Sequence, residues 1–222
     1  MTSTIYLTKY PLRDALALNP ENKPRKGWDA NDPQFRHRAV MGIFGQFDES
    51  SPREHAGILF RLEFLPGNEP FFLIQSLVKP EFASTNTVIK EINVPEFLQG
   101  STVRFRIAIN AIRRTKSPDG RTPTVPVPFD SEYAEFPHLS TMTSWLQEKL
   151  SPALSEVSIL NHQREVIGVS RNGERVSQRT VQIDTVDGFA VVADPQALQN
   201  MITSGIGRAK SYGCGLLSVA EV

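Results

Sequence analysis

Gly205-Ile-Gly-Arg-Ala-Lys-Ser-Tyr-Gly-Cys-Gly-Leu-Leu-Ser218 is the stretch on which the fold turns. Its first eleven residues hold four glycines and two cations, Arg208 and Lys210. Glycine reaches backbone conformations closed to other residues, so successive amides here can face an anion with cationic help. A tight connection that uses glycine for unusual φ/ψ accounts for the composition equally well. Two nucleotide-binding folds are excluded. A dinucleotide fingerprint starting at Gly205 and Gly207 needs glycine at position 210, where lysine stands. A Walker loop needs Gly-Lys-Ser/Thr, which this stretch lacks.

The segments around this stretch mix helices and strands. Upstream, Asp194-Pro195 has the form of a helix start, an oxygen cap followed by proline at the first helical position. Leu198, Met201 and Ile202 supply that helix's apolar face. Downstream, residues 216–219 read as a closing strand. Residues 189–192 read as another strand. Residues 166–170 and 175–185 flank Asn172-Gly173, a strong two-residue hairpin signal. Arg175 and Arg179 then share one face of the second strand, with Ser170 and Gly168 opposite. Residues 139–150 form an expected helix, and the proline-rich residues 121–128 an expected linker.

The first half repeats the mixture. Residues 5–10 and 58–64 alternate as half-buried strands, and residues 71–78 form a nearly all-apolar central strand. Residues 19–31 read as a polar loop. Asp32-Pro33 then opens a helix whose stripe is Phe35, Ala39, Val40, Ile43 and Phe44. In residues 103–110, Val103, Phe105, Ile107 and Ile109 alternate with Arg104, Arg106, Ala108 and Asn110, an apolar face against a basic one. Both halves are α+β, compatible with two small split-βαβ sandwiches, over residues 1–120 and 121–222.

Composition narrows the function. The 222 residues balance 24 basic against 24 acidic side chains. Zero net charge speaks against indiscriminate coating of nucleic acid. The charge is uneven, however. Residues 104–121 carry +5, residues 162–179 carry +2 and residues 205–212 carry +2, leaving −9 elsewhere. A basic track on a neutral chain suits recognition of one specific nucleic acid, as well as faces balanced by acids in the fold. One cysteine, Cys214, excludes an internal disulfide scaffold and a cysteine-based zinc site, and it reads as a small buried residue. The N-terminus has no basic-then-apolar signal pattern, and no stretch is long enough to span a membrane. The expected compartment is the cytoplasm.

Residues 205–218 closely resemble the C-terminal motif of the CRISPR type I-E repeat-processing endoribonuclease, the CasE family of the Cascade complex. Asp32-Pro33 followed by His37-Arg38, the segment from Arg106 to Asn110, and Trp145-Leu-Gln-Glu-Lys-Leu150 fall in family order, so the resemblance covers most of the chain. It implies α+β structure with two tandem ferredoxin-like (RRM-like) domains, the first carrying the catalytic histidine. It implies a precursor CRISPR RNA repeat hairpin as substrate, metal-independent cleavage at the hairpin base, and no cofactor. The product, mature CRISPR RNA, would stay bound, with other Cascade subunits as further partners. The protein alone would be a monomer.

Metal-free RNA cleavage uses the 2′-hydroxyl as nucleophile and leaves a 2′,3′-cyclic phosphate and a 5′-hydroxyl. It needs a base, an acid and a donor for the phosphorane charge. Of His37, His55, His138 and His162, none is spaced as a metal pair. His37 matches the family histidine and lies about 110° from the centre of its helix's apolar stripe, at the edge of the buried face. The family carries tyrosine one turn earlier, where this chain has Gln34. Gln34 can donate a hydrogen bond to phosphate but cannot transfer a proton. Tyr6, Arg38 or Tyr212 are candidates for the vacant role, Arg38 standing on another side of the helix. The candidate RNA-binding residues are Arg104, Arg106, Arg113, Arg114, Arg171, Arg175, Arg179, Gly205, Gly207, Arg208, Lys210 and Tyr212. A non-catalytic RNA-binding subunit is the alternative function, motivated by Gln34. A small-molecule phosphate-binding domain is a third, disfavoured by three separate basic clusters.

Overall fold

The computed structural model describes residues 4–17, 28–45, 52–114, 123–169 and 179–222. The first domain runs through β1 (Thr4–Pro11), α1 (Leu12–Ala17), α2 (Pro33–Met41), α3 (Pro52–His55), β2 (Leu59–Glu63), β3 (Phe71–Ser76) and β4 (Val88–Asn93). Its four antiparallel strands lie in the order β2-β3-β1-β4. That is the ferredoxin-like order, although no helix occurs in residues 77–87, where a second crossover helix would belong. One face of the sheet packs Tyr10, Phe60, Phe72 and Ile74 against Phe35, Val40 and Ile43 of the α2 segment.

The second domain begins with β5 (Thr102–Ile109). A small ribbon of β6 (Ile112–Arg114) and β7 (Thr124–Pro126) follows, then α4 (Met142–Leu150), β8 (Leu154–Ile167), β9 (Val181–Val192), α5 (Pro195–Ser204) and β10 (Leu217–Glu221). The sheet order β10-β5-β9-β8 is again ferredoxin-like, with both crossover helices present. The expected division at residue 120 falls too late for this sheet. β5 hydrogen-bonds to both β9 and β10, so the second sheet starts at Thr102. Sequence distance hid this, because the proline-rich linker lies inside the domain, as the crossover from β5 to α4.

One further difference has a local cause. Over the described residues the strands expected at 175–185 and 189–192 meet in a single strand, β9, which runs from Val181 to Val192, with Arg179 and Thr180 outside it. Gly188 does not break it; a Cβ there would sit 2.3 Å from the Ser158 carbonyl oxygen and 2.7 Å from the Phe105 ring. The glycine marks a close approach. β8 meets β9 with Ile167 opposite Val181. The hairpin turn expected at Asn172-Gly173 lies beyond this last described pair. That turn is outside the described residues, as are Arg171 and Arg175.

The helix-free face of the first sheet joins the two domains. Ile5 and Leu7 pack into the core formed by the second sheet with α4 and α5. Gln75 donates to the Ile202 carbonyl at 2.7 Å. Buried Arg61 donates to Glu63 and reaches the Ser218 hydroxyl at 3.0 Å, while Arg106 pairs with Glu63 and Asp187 at 2.9 and 2.8 Å. Arg36, only 2% exposed, holds Glu165 of β8 through two nitrogens at 2.9 and 3.2 Å. Among the described residues, no helix is long and apolar enough to cross a membrane.

Candidate active site and RNA interface

The glycine-rich stretch leaves α5 and folds back between the domains. Ile206 and Gly215 close it by a hydrogen bond at 2.9 Å, and the Gly215 amide donates to Ala108 of β5. The main-chain amides of Gly205, Ile206, Tyr212, Cys214 and Gly215 all donate to main-chain carbonyls. Those amides are therefore engaged, and for them the tight connection is the reading that fits. Gly205 and Gly215 also serve close packing. Gly205 has φ +69°, and a Cβ there would meet Leu59 Cδ2 at 2.6 Å and the Gly215 carbonyl at 2.9 Å. Gly205→Ala is expected to cost about 1–3 kcal/mol of stability, read as a lower urea midpoint with unchanged slope.

The packed loop presents a short helical turn, Lys210–Tyr212, to α2 and β2. His37 meets it there. The Asp32 carboxylate caps α2 at the Gln34 amide, 2.9 Å, so Gln34 and His37 follow one turn apart from a fixed start. His37 is half-buried, and its Nδ1 is buried without a hydrogen-bond partner among the described residues. Burial holds its pKa below the ordinary 6.5, aided by the positive charges of Arg53 and Arg38, while the Ser211 main chain pulls the other way. Arg53, on α3, is half-buried and donates to the Ile58 carbonyl at 2.9 Å. It also lowers the pKa of Lys210, after burial, the larger cause. Lys210 Nζ donates to the Ser204 carbonyl at 2.7 Å. Arg53 thus acts electrostatically on both His37 and Lys210, which brings three distant segments to one place. Arg53 carries no sequence signal, since Pro52-Arg53-Glu54 reads as turn surface.

A family model described as CRISPR associated protein matches residues 5–221. The chain belongs to the CRISPR-associated CasE family. The CRISPR system Cascade subunit CasE of Escherichia coli (strain K12) is 30% identical over 160 residues, covering 68% of this chain and 74% of that protein. The CRISPR-associated endoribonuclease Cse3 of Thermus thermophilus is 26% identical, covering 92% and 97%. A structure of CRISPR endoribonuclease Cse3 bound to a 19 nt RNA matches with a TM-score of 0.62 at 26% identity, over 99% of this chain and 100% of that one.

In this CasE-family chain the other candidate residues separate into groups. Arg113, Arg114 and Arg208 line one cleft beside α4. Arg104 is exposed on β5. Arg106 stands apart from this group. Its guanidinium is held between Glu63 and Asp187, so its charge is already matched and it pins the domains together. Arg179 lies over the Tyr212 ring at 5.9 Å and donates to its hydroxyl. Tyr212 also packs against the cluster around Cys214, so its hydroxyl is engaged rather than waiting at His37. Tyr6 lies on β1 beside Glu91, whose negative charge raises its pKa. Arg38 is exposed. The His162 side chain, 8% exposed, lies in hydrogen-bond contact with Asp184 at 2.8 Å, a structural role. Burial pushes the Cys214 thiol well up, which leaves it inert as a nucleophile.

Proposed function

We propose that this chain matures CRISPR RNA by cutting the precursor at the base of its repeat hairpin, and then stays on the product within Cascade. The observation that carries the reading is the seating of the Lys210–Tyr212 turn on α2, which gathers His37, Arg53 and Lys210. His37 is neutral at neutral pH because its pKa is lowered, the state a base needs to take the 2′-hydroxyl proton. The 2′-oxygen then attacks the adjacent phosphorus, giving the 2′,3′-cyclic phosphate as the bond to the 5′-oxygen breaks. Arg53 and Lys210 hold the phosphorane charge. The departing 5′-oxygen needs a proton. Gln34 has none to give, and we assign that role to the Lys210 ammonium, which burial and Arg53 destabilise. Gln34 donates a hydrogen bond to a phosphate oxygen. Arg104, Arg113, Arg114 and Arg208 contact the RNA. No metal enters this scheme, and the cytoplasm is the compartment we assign.

The test is incubation of wild-type protein with its labelled repeat hairpin in EDTA, beside His37→Ala. Cleavage by the wild type, lost in the variant with binding retained, is the expected outcome. Tight binding with no wild-type cleavage would establish the non-catalytic subunit instead. Equal affinity for hairpin and unstructured RNA would overturn both.

A further inference from the structure

A cleft of about 370 Å³ lies between α4, β6 and the glycine-rich loop. Arg113, Arg114, Lys149 and Arg208 line it, and its floor is Ile109 and Trp145, core residues 1% and 8% exposed that leave only a narrow apolar strip open. No acidic residue lines it, and none of these four cations is in an ion pair among the described residues. Like charges gathered around a small opening repel until an anion joins them. Arg113 is poised for one. Its Nη2 donates to the Ser140 carbonyl, while its Nε is buried with no partner among the described residues. Lys149 Nζ stands 5.6 Å from the centroid of the Trp145 ring.

This combination distinguishes two kinds of RNA contact. A duplex stem offers phosphates to surface cations but keeps its base faces stacked inside, so an apolar floor does nothing for it. An unpaired nucleotide uses both parts, phosphate against the cations and base or ribose against the apolar surface. The location also fits. Arg208 and Ser211 are three residues apart, a span of at most about 11 Å. The Ser211 main chain lies beside His37, so a strand leaving His37 reaches the cleft by a short continuation.

We infer that the cleft binds one unpaired nucleotide flanking the hairpin, its phosphate held by Arg113, Arg114 and Arg208 and its base against the aliphatic stem of Lys149 and the exposed edge of Trp145. This rests on the RNA-processing function proposed above. The test compares two RNAs, the bare repeat hairpin and the hairpin extended by unpaired nucleotides on both sides. To prevent cutting, the cleaved bond carries a 2′-deoxy sugar. In the wild type the extension is expected to tighten binding about tenfold, the worth of one stacked base with its phosphate. Lys149→Ala is expected to shrink that gain to about threefold or less, and Arg114→Ala on the rim to do the same. The cleft assignment is overturned if the extension gives no gain, if both variants keep the full gain, or if they weaken both RNAs in equal proportion. Failure of the wild type to bind even the bare hairpin overturns the RNA-processing function itself along with the cleft.

Discussion

Glu63→Leu is expected to lower the unfolding free energy by about 3–5 kcal/mol, the usual cost of removing one partner from a buried ion pair. The side chains of Arg61 and Glu63 are 5% and 4% exposed, so the arginine left behind cannot recover its hydration. Arg61 would keep hydrogen bonds only to the Leu216 carbonyl at 3.3 Å and the Ser218 hydroxyl at 3.0 Å, with Asp187, already held by Arg106, the one carboxylate still acting on it among the described residues. Arg106 would still hold Asp187 at 2.8 Å. The double variant Arg61→Met with Glu63→Leu removes both buried charges, and most of the loss should return. Chemical unfolding of the three proteins measures this. A double variant no more stable than Glu63→Leu would show that packing between the domains, not the orphaned charge, sets the cost. The network ties β2 to β5, β9 and β10, so its loss should also loosen the loop that faces His37.

His37→Ala is expected to slow cleavage by about 10²–10⁴-fold while leaving hairpin affinity within about threefold, because a positioned base contributes that much to proton transfer. The pH profile carries the sharper signature. Burial and the charges of Arg53 and Arg38 lower the His37 pKa, so the acid limb should have its midpoint below 6.5. Arg53→Ala removes a repelling charge, and the midpoint should move up. The basic limb reports Lys210, whose pKa lies below the ordinary 10.5. Lys210→Arg keeps the positive charge but cannot release its proton in this range, so that limb should disappear. An acid midpoint at or above 6.5 would contradict a neutral, buried base. Stability follows the same sign. The unfolded chain takes the His37 proton near 6.5, and the folded protein takes it only at lower pH. Acidification through 6.5 therefore favours the unfolded chain, and the full contribution is present above that pH.

Local chemistry was legible in the chain. Asp32-Pro33 and Asp194-Pro195 start helices because cap and first turn are neighbours in sequence. Asp194 accepts from the amides of Gln196 and Ala197 at 2.9 and 3.0 Å. Alternation along residues 103–109 marked a strand with one buried face, since a strand's period is two. The length of β9 was not legible, because Gly188 looks like a break until Phe105 and Ser158 are placed against it. β4 could not be read in advance either, with its mostly exposed pattern on an edge. At the proposed site, His37 and the loop stand out in the sequence, while Arg53 and Lys149 do not. Neither has a motif, and each matters only through what stands beside it in space.

Sequence alone determined the two helix starts, the strand–helix mixture of each half, the family motif at residues 205–218 and the uneven charge of a neutral chain. All of these depend on residues adjacent along the backbone or repeating at a short period. Tertiary structure decided how the basic residues divide. Arg106 joins the residues that hold the domains together, because Glu63 and Asp187 are waiting for it. Arg113, Arg114 and Arg208 converge with Lys149 around an opening that holds no acid. Arginines of one basic segment thus meet opposite fates. Whether a charge is neutralised or offered to a ligand depends on what lies within a few ångströms, and only folding brings those partners together.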